Sequence, residues 1–65
     1  MPTPEAFKRY QATKAHIDKQ LKVIALQLMA HETRAESHPE NWGFEADLHK
    51  VEADLNDIIE FLTSK

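Results

Sequence analysis

The chain has 65 residues, so it holds one domain at most. Hydrophobic residues make up 42% and charged residues 29%, which is the balance of a globular protein rather than a disordered one. It contains no cysteine, which excludes disulfides and thiolate metal sites, and a single glycine, which excludes a glycine-rich phosphate-binding loop.

The N-terminal sequence and the longest apolar run bear on where the protein resides. Residues 1–5 have neither a basic n-region nor an apolar h-region, so we expect no secretory signal. The longest purely apolar run is residues 23–26, far below the roughly 20 residues that a membrane span needs. We therefore predict a cytoplasmic protein with no membrane partner, and the lack of cysteine fits a reducing compartment.

The first predicted helix covers about residues 4–35. Thr3 can cap its backbone N–H groups, and Pro4 suits its first position, where a missing N–H costs nothing. Glycine and proline are then absent until Pro39, which disfavours helical geometry at the residue before it. Apolar residues step by three and four along this helix, with Lys14 and His31 filling the gaps. This first stripe consists of Phe7, Tyr10, Ile17, Leu21, Ile24 and Leu28.

The predicted turn covers about residues 36–43 and leaves the start of the second helix open. Asn41 or Gly43 can cap that helix directly. Alternatively, Ser37 can start it earlier through a capping box with the acid three positions further on. We expect the large ring of Trp42 to pack over the turn.

The second predicted helix covers about residues 44–63 and has its own apolar line. This second stripe consists of Phe44, Leu48, Val51, Leu55, Ile58 and Leu62. Helices joined by a short turn lie antiparallel beside each other. The sequence therefore predicts an all-α fold, an antiparallel two-helix hairpin that forms a single domain over residues 1–65.

Such a hairpin leaves apolar residues uncovered, which predicts self-association. The first helix is the longer one, so Phe7 and Tyr10 project beyond the end of the second. Four further apolar residues lie on the side of the first helix opposite its stripe: Val23, Leu26, Met29 and Ala30. Small chains without disulfides or metals usually gain stability by association. We predict a homo-oligomer, with a coiled-coil homodimer that forms a four-helix bundle favoured and a tetramer left open.

Charge is unevenly placed along the chain, which suggests two candidate partner surfaces. Residues 1–36 hold six Lys/Arg and four Asp/Glu, whereas residues 37–65 hold two and seven. The first surface is basic and lies on the first helix: Lys8, Arg9, Lys19 and Lys22. The second is acidic and flanks the second stripe: Glu45, Asp47, Glu52 and Asp54.

No residue pattern indicates catalysis, a metal site or a cofactor site. His31 and His49 are expected roughly opposite each other across the hairpin, but the chain has no H-E-x-x-H spacing. The acids flank the second stripe, whereas helical-bundle metalloenzymes carry their carboxylates on the inward seam. We therefore predict a non-enzymatic protein without metal or cofactor.

The favoured function is a protein-interaction or regulatory module that presents one charged surface to another macromolecule. The alternative is a nucleic-acid-binding regulator that uses the basic face of the first helix within a dimeric bundle. Paired hairpins of this size resemble the Rop family of small RNA-binding regulators in architecture alone, so no functional residue carries over. A pI of about 5.7 argues against bulk attraction to nucleic acid.

Overall fold

The computed structural model describes residues 4–64, and its regular structure there is entirely helical. Helix α1 covers Pro4–Ser37 and helix α2 covers Trp42–Thr63, with no strand anywhere between residues 4 and 64. The prediction of an all-helical chain with two helices is confirmed. Thr3, the predicted cap of the first helix, lies outside the described residues.

The chain divides into two compact units, Met1–Glu32 and Thr33–Lys65. In the described part, the first unit consists of α1 up to residue 32. The second unit contains the last turn of α1, the connection and α2.

Two ion pairs support α1 along its exposed surface. The Arg9 guanidinium lies 3.2 Å from the Glu5 carboxylate, and the Lys14 ammonium lies 3.1 Å from the carboxylate of Asp18. Both pairs join residues four apart, which are neighbours on a helix surface. Lys14 therefore extends toward solvent from its position on the first stripe, its charge met by an acid of its own helix.

Helix α1 runs two residues beyond the predicted end because its last carbonyl groups find polar partners. The Ser37 hydroxyl donates to the carbonyl four residues before it, at 3.3 Å. The ring Nδ1 of His38 lies 3.2 Å from the carbonyl oxygen of Arg34, and its backbone N–H donates to that of Ala35 at 3.0 Å. Pro39 follows, so the helix cannot continue.

Asn41 is the residue that caps α2, which decides between the three starts that the sequence allowed. Its backbone is extended, with φ −88° and ψ 106°, and its side chain accepts a hydrogen bond from the N–H of Gly43 at 2.8 Å. A Cβ at position 43 would lie 2.9 Å from that same side-chain oxygen. Glycine at this position therefore leaves room for the cap, and α2 begins at Trp42, two residues before the predicted start.

The expectation that Trp42 packs over the turn is wrong. Trp42 is the first residue of α2, and its side chain is 79% exposed. Phe44 contacts the connection instead, since its ring stacks on that of His38 with 6.1 Å between ring centroids and 26° between planes. With the helix start at Trp42, the ring of Phe44 contacts the connection and the ring of Trp42 is left exposed.

Hydroxyl groups cap the end of α2, whose last turn contains no basic residue among those described. The Thr63 hydroxyl donates to the carbonyl of Ile59 at 2.9 Å, and the Ser64 hydroxyl donates to that of Phe61 at 3.1 Å. The backbone N–H of Ser64 donates to the Glu60 carbonyl at 3.0 Å. These bonds satisfy carbonyl groups that would otherwise be left without a partner at a helix end.

No side chain in residues 4–64 is fully buried. The half-buried residues lie on the two predicted stripes or continue them: Leu28, His31, Ala35, Phe44, Val51 and Leu55. The least exposed residues of each helix therefore lie on its stripe or continue it.

Candidate interaction surfaces

The described residues expose a large amount of apolar side chain. Fourteen large hydrophobic residues are exposed. Single exposed hydrophobic residues are normal in soluble proteins, but extended apolar patches usually mark a surface that another molecule covers. Nine of these residues, together with Ala30, form three surfaces.

The first surface is an aromatic pair near the start of α1. The rings of Phe7 and Tyr10 stack with 6.1 Å between centroids and 9° between planes. Phe7 is 52% exposed and Tyr10 is 62% exposed. Both rings are more than half exposed, and aromatic side chains bury a large area when another chain packs on them.

The second surface lies on the side of α1 opposite the first stripe. It contains the four residues predicted there: Val23, Leu26, Met29 and Ala30. All four are exposed, with Leu26 at 63%, whereas Ile24 on the first stripe is 37% exposed. In the middle of α1, the side that the prediction assigned to another chain is therefore the more open one.

The third surface lies at the end of α2 and was not predicted as an interface. Ile58, Ile59, Phe61 and Leu62 are all exposed there. The signal was present in the sequence, because positions 55, 58, 59 and 62 have the spacing of one helix face. The predicted interface used only residues of the first helix and missed this surface.

The basic surface of α1 separates into paired and unpaired charges. Arg9 is held by Glu5. Lys8, Lys19 and Lys22 form no ion pair with any residue in the described range. Because steps of three and four residues follow one side of a helix, Lys19 and Lys22 lie on the same side as Leu26.

The acidic surface of α2 has two sides. Glu45 and Glu52 lie on one side, with the Nε2 atom of His49 lying 3.3 Å from the Glu45 carboxylate. Asp47 and Asp54 lie on the other side. The Lys50 ammonium donates to the Asp54 carboxylate at 2.9 Å, and this bond and the negative charge raise the pKa of Lys50.

The concave features of the second unit are shallow. The larger one, about 500 Å³, is lined by connection residues that are all exposed, and the smaller one, about 230 Å³, lies along one side of α2. Over residues 4–64, no group of three or more histidine, cysteine or acidic side chains could hold a metal ion.

Neither described helix has an apolar stretch long enough to cross a lipid bilayer. Comparison with known proteins gives no relative, since no family model, curated protein or solved structure matches the chain. The structure itself thus defines the class, an all-helical chain of two helices with extended apolar surfaces.

Proposed function

We propose that this chain is a non-enzymatic protein-interaction or regulatory module that works as a homo-oligomer. The proposal includes the antiparallel hairpin that the sequence predicts, because a connection as short as residues 38–41 favours it. Two hairpins pair into a four-helix bundle, whose charged outer surfaces are then presented to another macromolecule. The proposal includes a cytoplasmic location, which rests on the absence of cysteine.

The observation that carries this proposal is the exposure of the apolar side chains. Fourteen large hydrophobic residues are exposed and none in the described range is fully buried. Burying apolar surface is the main favourable term in folding and association. A single chain leaves these apolar side chains exposed to water, whereas a bundle of two or more chains buries them.

The test is the mass of the protein in solution. Light scattering on a size-exclusion peak at micromolar concentration should give at least twice 7.5 kDa. Circular dichroism on the same samples should show that helicity falls as the oligomer is diluted, because folding and association are linked. A helical species that stays folded at 7.5 kDa would contradict the proposal.

One observation favours the alternative, binding of nucleic acid. Lys8, Lys19 and Lys22 are charges without an acidic partner among the described residues, as phosphate-binding lysines are. A mobility-shift assay at two salt concentrations separates the two functions, because phosphate contacts weaken steeply with salt. Binding that falls sharply between low and high salt would support the alternative, and no shift at either salt would leave the first proposal.

A further inference from the structure

The side of α1 opposite the first stripe changes from basic to apolar along the helix. Lys19, Lys22, Leu26 and Met29 follow one another at steps of three, four and three residues, so their side chains lie along one line. We call this line, with Ala15 at its start, the lysine–leucine face. Its two lysines have no ion-pair partner in the described range, whereas Arg9 and Lys14, elsewhere on α1, each have one.

Helix α2 carries a line with the complementary chemistry. Asp47, Val51, Asp54, Ile58 and Phe61 follow one another at steps of four, three, four and three residues. We call this line the aspartate–isoleucine face. It changes from acidic to apolar in the same N-to-C direction in which the lysine–leucine face changes from basic to apolar.

The two faces match better in parallel than in antiparallel orientation. The lysine–leucine face starts at Ala15 and has the same steps, four, three, four and three, as the aspartate–isoleucine face. In parallel alignment Lys22 lies beside Asp54, and Leu26 lies beside Ile58. Antiparallel alignment also places Lys22 beside Asp54, but it sets Lys19 against Ile58 and Asp47 against Met29. Parallel alignment sets these two charges against the smaller Val51 and Ala15 and keeps Met29 beside Phe61.

We propose that the lysine–leucine face of one chain binds the aspartate–isoleucine face of a second copy in parallel. This inference rests on the self-association proposed above and specifies which surfaces make the contact. The occupant is a second copy because the charges of the helices are complementary. Helix α1 holds six basic and four acidic residues, whereas α2 holds one basic and six acidic residues.

The two halves of the contact have different roles. The apolar pairs bury surface and supply most of the affinity. The exposed Lys22–Asp54 pair contributes little affinity but favours this register, as charges at the edge of helix interfaces do. Asp54 can accept hydrogen bonds from Lys50 of its own helix and from Lys22 of the other chain, because a carboxylate accepts several hydrogen bonds and Lys50 occupies one oxygen.

A charge-swap experiment tests the pairing. Lys22→Asp and Asp54→Lys should each raise the dissociation constant of the homo-oligomer by roughly five- to thirtyfold, since two symmetric contacts become like-charged. In an equimolar mixture of the two variants every contact joins opposite charges again, so the dissociation constant should return to near the wild-type value. Glu52→Lys is the matched control, because position 52 lies on the other side of α2.

A disulfide experiment tests the register. Because the chain has no native cysteine, only the introduced cysteines can form disulfides. A mixture of Leu26→Cys and Ile58→Cys chains should form mixed disulfides under mild oxidation. Leu26→Cys with Asp47→Cys should not, because position 47 lies about 16 Å from position 58 along α2, beyond disulfide reach.

The outcomes separate this inference from the proposed function. A wild-type chain that remains a monomer would overturn both. An oligomer whose mass and affinity are unchanged by Lys22→Asp and by Asp54→Lys would overturn the inference alone. The same conclusion would follow if Glu52→Lys restored the affinity of Lys22→Asp as well as Asp54→Lys does. Disulfides with Asp47→Cys in place of Ile58→Cys would also overturn the inference, as would Lys22→Asp abolishing binding to nucleic acid while the oligomer stays unchanged.

Discussion

Leu26→Asp separates a surface between chains from an ordinary exposed helix position. Leu26 is 63% exposed in the single chain, so an acid at this position would cost an isolated chain little. In the proposed oligomer the same side chain is covered by a second copy, and an unpaired carboxylate there is strongly disfavoured. We therefore expect Leu26→Asp to dissociate the oligomer and to lower helicity, by an amount similar to Ile24→Asp.

The size of the effect follows from the exposure of the side chain. Full burial of a leucine stabilises by about 1.5–3 kcal/mol relative to full exposure. With 63% of Leu26 still exposed in the single chain, association gains roughly 1–2 kcal/mol at each copy of this residue. A symmetric dimer contains it twice, so its loss weakens the dissociation constant by about 30- to 700-fold before any cost of burying the carboxylate.

The assay is light scattering together with thermal melting followed by circular dichroism. Gln27→Asp is the matched control, because it adds the same carboxylate in the same helical turn at a position that is already polar and exposed. It should keep the wild-type mass and melting temperature. If Leu26→Asp behaves like this control while Ile24→Asp unfolds, the second interface lies elsewhere and the reasoning is refuted.

Four further changes test other parts of the structure. Asn41→Ala should lower stability by about 1 kcal/mol, a fall of roughly 4–8 °C in melting temperature, whereas Asn41→Ser should retain the cap. Phe7→Ala should weaken association about tenfold or more, measured by sedimentation, and unchanged affinity would show that the aromatic pair lies outside the interface. EDTA should leave thermal stability unchanged, and a zinc-induced gain of several kcal/mol would instead reveal a metal site. Asp54→Asn should lower the pKa of Lys50 in an NMR titration, because it removes the negative charge and the carboxylate hydrogen bond that raise that pKa. In the wild type the ion pair is present at neutral pH and is lost only as the pH rises through the raised pKa of Lys50.

Periodicity was enough to predict the two helices, but not the residues that bound them. The steps of three and four in both stripes have one structural solution, so the helical class follows directly. The boundaries depend on single hydrogen bonds, such as the one between Asn41 and the N–H of Gly43. Three candidate starts for α2 had comparable capping chemistry, and only the backbone geometry at Asn41 decides among them.

The ring contact in the connection could not be predicted for the same reason. Trp42 is the larger ring and the more obvious candidate to cover a turn, yet a shift of two residues in the start of α2 changes which ring contacts the connection. Phe44, assigned to the second stripe, stacks on His38 instead of serving only the helix face. Side-chain direction at a helix start depends on the cap, which periodicity does not report.

The candidate surfaces were predicted in part, and the missing part has a physical explanation. The sequence predicted the apolar side of α1 around Leu26, because the apolar residues there interrupt a face that is otherwise polar. It did not assign Ile59 and Phe61 to an interface, because they lie beside the second stripe rather than on it. Their exposure, at 55% and 62%, shows apolar surface at the end of α2 that the chain leaves open.

In the proposed assembly the charges and the apolar surfaces of this chain act on different properties. Apolar contact is non-directional, so two helices with wide apolar faces can pack in several registers and in either orientation. Charged residues in line with those faces remove the alternatives, because a wrong register places like charges together or charges against apolar groups. In the proposed assembly Lys22 and Asp54 favour one register, and Lys19 and Asp47 disfavour the antiparallel orientation, which would set them against Ile58 and Met29. On this proposal the acids and lysines serve less to stabilise the chain than to select one assembly among those that its apolar surface allows.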